Sequence, residues 1–225
     1  MLRRLLSRAT RDEPEVDPTP AAGQLDNQAL EAIVFGIVKR EDWDEARSRI
    51  VVEVGTGGGR GSTVAIERAL AAGKSGFQLI GYEGDADLAA QAANYWSDGR
   101  NVRVVNEFFM HRDDIERIVK PLVAEGDRAS YLPEFAAVAQ AENFLTTVPP
   151  GPIDLLFIDS VRYTHLAILR AASPWLTAET VVVMEDDIPG YGELAIVDNE
   201  LDLLDVTRHE LVGHPWPLVE FRLVP

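Results

Sequence analysis

No cysteine occurs in the 225 residues. That absence removes disulfides, Cys-ligated zinc and thiol nucleophiles together, and it fits a cytoplasmic setting. Basic residues are scarce: 21 Lys+Arg against 37 Asp+Glu leave a formal charge of −16. A surface of that sign repels phosphate backbones and anionic lipid, so neither nucleic acid nor stable membrane association is expected. Long apolar runs are missing too, since nothing approaches the roughly 20 residues of a spanning helix. The basic start MLRRLL is too short for a signal-peptide core. With the Pro-rich DPTP that follows, residues 1–24 are expected as a flexible tail. The remainder, 25–225, fits one domain with a full core and a helical insertion over about 110–150.

What is present is an alternation of short apolar runs with helix-forming stretches. A leading helix is expected over 25–39, where Leu30, Ile33, Val34, Ile37 and Val38 recur at helical spacing. Strands are expected at IVVEV (50–54), FQLIGYE (77–83), VRVV (102–105), IDLLFID (153–159) and VVVM (181–184). Helices are expected from Ser62 to about Ala72 and over 85–95 with Asp85 as N-cap, then over 113–125 and 133–146 within the insertion. The stretches 209–212 and 218–223 read as a closing pair of strands around Pro215, Trp216 and Pro217. This order implies a doubly wound α/β sheet, mostly parallel, with a C-terminal antiparallel strand. Glu83, Asp159, Glu185, Asp186 and Asp187 then fall at the carboxyl edge, where open α/β sheets bind ligands.

The first strand runs into GTGGGRG (55–61), a glycine-rich strand–loop–helix junction suited to a nucleoside. Gly55, Gly57 and Gly59 supply positive φ and close approach, with Thr56 between them, and the helix from Ser62 turns its N–H groups toward the site. A dinucleotide fingerprint would need a third glycine where Arg60 stands. S-adenosylmethionine, which has no pyrophosphate, needs instead an open loop and a carboxylate for the ribose hydroxyls. Glu83 suits that second role, because a carboxylate accepts two O–H donors at once.

EVGTGGGRGST and IGYEGDADLAAQA resemble the first two motifs of the class I S-adenosylmethionine-dependent methyltransferases. IDSVRYTHLAILRAASPWLTAETVVVMEDDI is similar to the macrocin-type small-molecule O-methyltransferases, with Asp159, Tyr163, Asp186 and Asp187 matching. The turn 176–180 replaces that family's Leu-x-Pro-Gly-Gly, and Ser160 replaces a glycine. The resemblance implies a Rossmann-like methyltransferase sheet, with Glu53 and the Gly55 loop bordering the methionine part. It places Asn106 near adenine, although NEFF departs from the family's usual Gly-Asp at that point.

Three converging carboxylates repel one another unless a cation lies among them, and hard oxygen ligands suit Mg²⁺. The resemblance implies Asp159, Asp186 and Asp187 as that set; the alternative is that Asp186 and Asp187 cap the next segment while Asp159 faces the cofactor. The catalytic candidates are His165, His111 and Asp159; the two histidines are the candidate proton acceptors, because their unperturbed pKa lies near neutrality. Arg162 is a candidate for orienting an anionic substrate, and Tyr163, Trp175 and Trp216 for flooring a pocket. His209 and His214 are expected to be structural. The expected activity is methyl transfer to the hydroxyl of a small molecule. A nicotinamide-dependent oxidoreductase and a methyltransferase-like binding domain without turnover are the alternatives, and homo-oligomerisation is left open.

Overall fold

The computed structural model describes residues 27–40, 47–73, 76–98, 101–125, 132–185, 193–211 and 217–224. Seven strands form one mixed sheet in the order β3-β2-β1-β4-β5-β7-β6. They are β1 (Arg49–Val54), β2 (Phe77–Tyr82), β3 (Val102–Val105), β4 (Leu155–Ile158), β5 (Val181–Glu185), β6 (Leu203–His209) and β7 (Leu218–Leu223). β1 pairs in parallel with both β2 and β4, and the parallel set continues to β3 on one side and β5 on the other. β7 runs antiparallel to β5 and β6 antiparallel to β7. Strand order reverses direction between β1 and β4, which is where such sheets open a crevice.

Helices cover both faces: α1 (Asn27–Val38), α2 (Ser62–Ala71) and α3 (Ala86–Tyr95) precede β3, and α7 (His165–Ala172) and α8 (Glu193–Glu200) flank β5. Alternate residues of the buried strands feed two cores, as the period of two requires. Val52, Ile80, Leu156, Ile158 and Val182 face α7 and the insertion. Val51, Leu79, Leu155, Phe157 and Val183 face α1 and α2. Leu30, Val34, Ile37 and Val38 of α1 enter that second core, in agreement with the spacing. Each such fully buried aliphatic side chain contributes about 1.5–3 kcal/mol.

The insertion departs from two plain helices. Its first part is continuous, running α4 (Arg112–Asp114), a π-helical turn (Ile115–Val119) and α5 (Lys120–Glu125). Its second, α6 (Leu132–Gln140), stops six residues short of the expected end at 146. Beyond it Phe144 forms a parallel bridge with Phe108, and Asn143 and the β-branched Thr146 and Thr147 turn to bonds outside a helix. The closing pair is also displaced: β6 begins at Leu203 and ends at His209, and α8 precedes it without having been anticipated. Asp205, at φ 55°, and a register shift between Leu204 and Thr207 break the alternation by which β6 would have been read.

Candidate functional site

The carboxyl ends of β1, β2, β4 and β5 open onto a cleft of about 340 Å³, lined by Gly55 and Gly57, by Glu83 and Gly84, by residues 107–109 and 159–162, and by Glu185. Gly55, Gly57 and Gly59 hold φ of 92°, 55° and 75°, a region costly to residues with a Cβ. Each glycine has a separate reason. A Cβ on Gly55 would run into the carbonyl oxygen of Asp159, so β1 and β4 meet there too closely for any side chain. A Cβ on Gly59 would lie 2.9 Å from both Ala92 Cβ and Trp96 Nε1 of the α3 region. At Gly57 a Cβ would meet nothing within 4 Å, because this turn of the loop faces the open cleft.

Glu83 ties the two sides of the cleft together. Its Oε2 accepts the Gly57 N–H at 2.6 Å and its Oε1 the Asp85 N–H at 2.9 Å. A carboxylate has about four acceptor positions, so capacity remains for paired hydroxyls. Asp85 caps α3 as expected, accepting from the N–H groups of Asp87 and Leu88. Asn106 donates its side-chain amide to the carbonyls of Glu83 (2.9 Å) and Gly84 (3.3 Å), fixing the Glu83 turn.

Glu53 and Thr56 lie beneath the loop and are not among the cleft-lining residues. Glu53 has no exposed surface; Ser62 Oγ donates to its Oε1 at 2.6 Å, and its Oε2 has no hydrogen-bond partner among the described residues. Burial pushes its carboxyl up to about 7, opposed by the Ser62 and Thr63 hydroxyls and reinforced by the charges of Asp159 and Glu83. Thr56 is buried, with its hydroxyl in the space left by Gly81, which cannot carry a side chain there. Its N–H donates to the Tyr82 carbonyl at 3.3 Å.

The catalytic candidates separate. Asp159 lines the cleft. His165 is 1% exposed in the first turn of α7, and His111 is exposed just before α4; neither lines the cleft. Arg162 does. Tyr163 is buried with φ 66°, a strained left-handed residue in the turn that follows β4. Trp175 packs edge-on to Phe109 with ring centres 6.5 Å apart, and His209 lies 3.2 Å from Glu220. Asp186 and Asp187, the other two candidate metal ligands, lie outside the described residues, as do His214 and Trp216. Among the described residues no group of three acidic or histidine side chains is poised for a metal.

Two contributors were not anticipated. Trp96, just past α3, donates Nε1–H to the Gly59 carbonyl at 2.9 Å and so latches the glycine loop. Glu107 lines the cleft and accepts hydrogen bonds from both backbone N–H groups and both hydroxyls of Thr146 and Thr147. Burial alone would raise its carboxyl, but those four bonds hold it below the usual carboxylate range. The signal was available: an acid just past β3 repeats the placement of Glu83 just past β2.

No protein-family model and no curated protein matches the sequence. Solved structures match its fold. Cofactor-bound Rv0187 from MTB is 20% identical, with 92% of this chain and 83% of that chain covered at a TM-score of 0.53. The O-methyltransferase from Bacillus cereus in complex with SAH is 16% identical over 92% and 84%, with a TM-score of 0.52. The O-methyltransferase TomG from Streptomyces achromogenes, in complex with SAM, is 17% identical over 88% and 78%, with a TM-score of 0.50. The chain has the Rossmann-like fold of the class I S-adenosylmethionine-dependent methyltransferases.

Proposed function

We infer that this chain is an S-adenosylmethionine-dependent methyltransferase acting on a hydroxyl of a small molecule. The observation that carries the reading is the Glu83 carboxylate bonded to the Gly57 N–H, which joins a ribose-binding acid to an open glycine turn in one cleft. Acidic strand ends and tight turns occur in many folds; a carboxylate with spare acceptor positions bonded to a glycine turn that faces open space is suited to a nucleoside. The dinucleotide alternative is disfavoured at Arg60, whose guanidinium lies 5.2 Å over the Tyr95 ring where that fingerprint needs a glycine.

When bound, the cofactor supplies an activated methyl whose transfer is an in-line displacement, so the protein's task is placement and proton removal. Gly57 and Glu83 would hold the nucleoside half, with Asn106 fixing the Glu83 turn from behind. Glu53 would act through Ser62 and the start of α2, setting the loop without touching the ligand. Of the three catalytic candidates Asp159 is the one at the cleft, and it is assigned the acceptor's proton. Asp159 is also the described member of the set proposed to hold Mg²⁺ with Asp186 and Asp187; such an ion would lower the acceptor pKa. The cleft is lined by Glu83, Glu107, Asp159 and Glu185 against one arginine, Arg162. With a charge of −16 on the whole chain, that lining favours a small acceptor over a polyanion.

Calorimetry with S-adenosylmethionine tests the first half of the reading. Binding by the wild type and at least about tenfold weaker binding by Glu83→Ala are expected, the usual effect of deleting hydrogen bonds to a charged group. No binding at high micromolar cofactor would defeat the assignment. Methyl transfer unaffected by EDTA would remove the metal from it while leaving the cofactor site intact.

A further inference from the structure

The limb by which the insertion returns toward β4, residues 141–148, is bonded to the end of β2 and to the segments that follow β2 and β3, which form one side of the nucleoside cleft. Asn143 donates its side-chain amide to the carbonyls of Gly84 (3.0 Å) and Asn106 (3.2 Å), and its own carbonyl accepts the Phe108 N–H at 2.8 Å. Leu145 N–H reaches the Met110 carbonyl at 3.2 Å, so 143–145 runs beside 108–110 through the single parallel bridge of Phe144 to Phe108. The four bonds to Glu107 fasten the next two residues, at 2.6–2.9 Å. Tyr82 Oη, from the end of β2, donates to the Thr147 carbonyl at 2.8 Å.

These bonds converge on groups that shape the cleft. Gly84 follows Glu83 directly, and a Cβ there would overlap the Phe108 ring, so the turn bearing Glu83 is pressed against the segment that the limb holds. The Gly84 carbonyl receives amides from both Asn106 and Asn143. A surface loop that merely connected α6 to β4 would leave Glu107 solvated and Gly84 to water. Here a shift of the limb removes one of the two amides on the Gly84 carbonyl and loosens the turn that aims Glu83 at Gly57.

We propose that residues 141–148 form a clasp that sets the nucleoside cleft, with Asn143 and Glu107 as its positioning residues. The insertion thereby governs cofactor affinity as well as any contact it makes with the acceptor. A ligand that tightens the limb tightens the cofactor site, and the converse holds by linkage. The identity of the ligand rests on the methyltransferase reading above; the mechanical coupling does not.

The test combines hydrogen exchange on the free protein with calorimetry using S-adenosylhomocysteine, on the wild type, Asn143→Ala and Thr146→Val. Thr146 is exposed, so the second variant removes one hydroxyl bond to Glu107 without disturbing the core. In the free protein both variants are expected to speed exchange at the Gly57 and Asp85 amides, which bond to Glu83 and not to the limb. For Asn143→Ala an acceleration of about tenfold and a similar rise in Kd are expected. Wild-type exchange at those two amides together with wild-type affinity would overturn the clasp and leave the cofactor reading standing. Coupled exchange with no binding of the nucleoside by any form would support the clasp and defeat the cofactor reading. Wild-type exchange in both variants with no binding of the nucleoside by any form would overturn both.

Discussion

Glu53 shows how a single buried carboxyl can serve a loop at a cost to the fold. Its carboxyl sits at about 7 against an ordinary 4.5, chiefly because burial disfavours the charge. The folded protein therefore binds a proton more tightly than the unfolded chain does. The stabilisation is fully present below pH 4.5, declines as pH rises, and is lost once pH passes about 7. At about 1.4 kcal/mol per pH unit the swing is on the order of 3 kcal/mol. Glu53→Gln mimics the protonated form and retains an acceptor for Ser62. Chemical denaturation at pH 5 and pH 8 should show a stability loss in the wild type that is roughly 2 kcal/mol larger than in the variant, part of the swing being already lost at pH 5; an equal loss in both would refute the buried titration. The loop glycines give a second contrast at this scale. Gly57→Ala has space for its methyl but must hold φ 55°, so a destabilisation of about 1–2 kcal/mol is expected, together with weakened cofactor binding as the methyl enters the cleft. Gly55→Ala adds an overlap with the Asp159 carbonyl and should lose clearly more stability by the same measurement.

At the scale of elements, α3 latches the glycine loop to the sheet. Trp96 is 3% exposed and its indole N–H satisfies the Gly59 carbonyl, while Asp85 caps the other end of the same helix. Trp96→Phe keeps most of the ring volume and deletes the donor, leaving a carbonyl unpaired beside the loop. A loss of about 1–3 kcal/mol in denaturation and several-fold weaker cofactor binding follow; a change in stability with no change in affinity would place Trp96 outside the site. The elements differ in how far the sequence revealed them. β1 through β5 and α1 through α3 were legible because their burial is regular: strands buried on both faces read as apolar runs, and helices with one buried face read at their own period. The placement of Gly55, Gly57 and Glu83 at the cleft was legible for the same reason, because each is attached to a clear strand end. β6 and residues 141–148 were not. Their pairing depends on partners distant in sequence, β7 for one and residues 106–110 for the other, and neither carries a repeating apolar pattern. Asn143 reads as an ordinary polar residue until the chain brings Gly84 and Asn106 to it, and Glu107, though marked by its place just past β3, gains its four bonds only when Thr146 and Thr147 arrive.

Across the whole molecule the two edges of the sheet have different tasks. The carboxyl edge holds positive φ, a strained Tyr163 and carboxylates gathered around a cleft. The amino edge holds a closed ion cluster. Asp154, 5% exposed just before β4, accepts from Arg49 at 2.8 Å, from Arg47 and from the Ile50 N–H at 2.8 Å. The strain and spare acceptor capacity thus lie at the carboxyl edge, and the buried ion pairs of Asp154 at the amino edge. Removing one partner of a buried pair strands the other charge, which costs about 3–5 kcal/mol. For Asp154→Ala that corresponds to a fall in Tm on the order of 10 °C in a chain of this size. Because Asp154 stands at the far end of β4 from Asp159, cofactor affinity below the new Tm should stay within about twofold of the wild type. Thermal melts and calorimetry on the same preparation separate the two effects. If affinity fell in proportion to stability, the sheet would be transmitting strain between its edges, and the separation of a stabilising edge from a ligand-binding edge would be wrong.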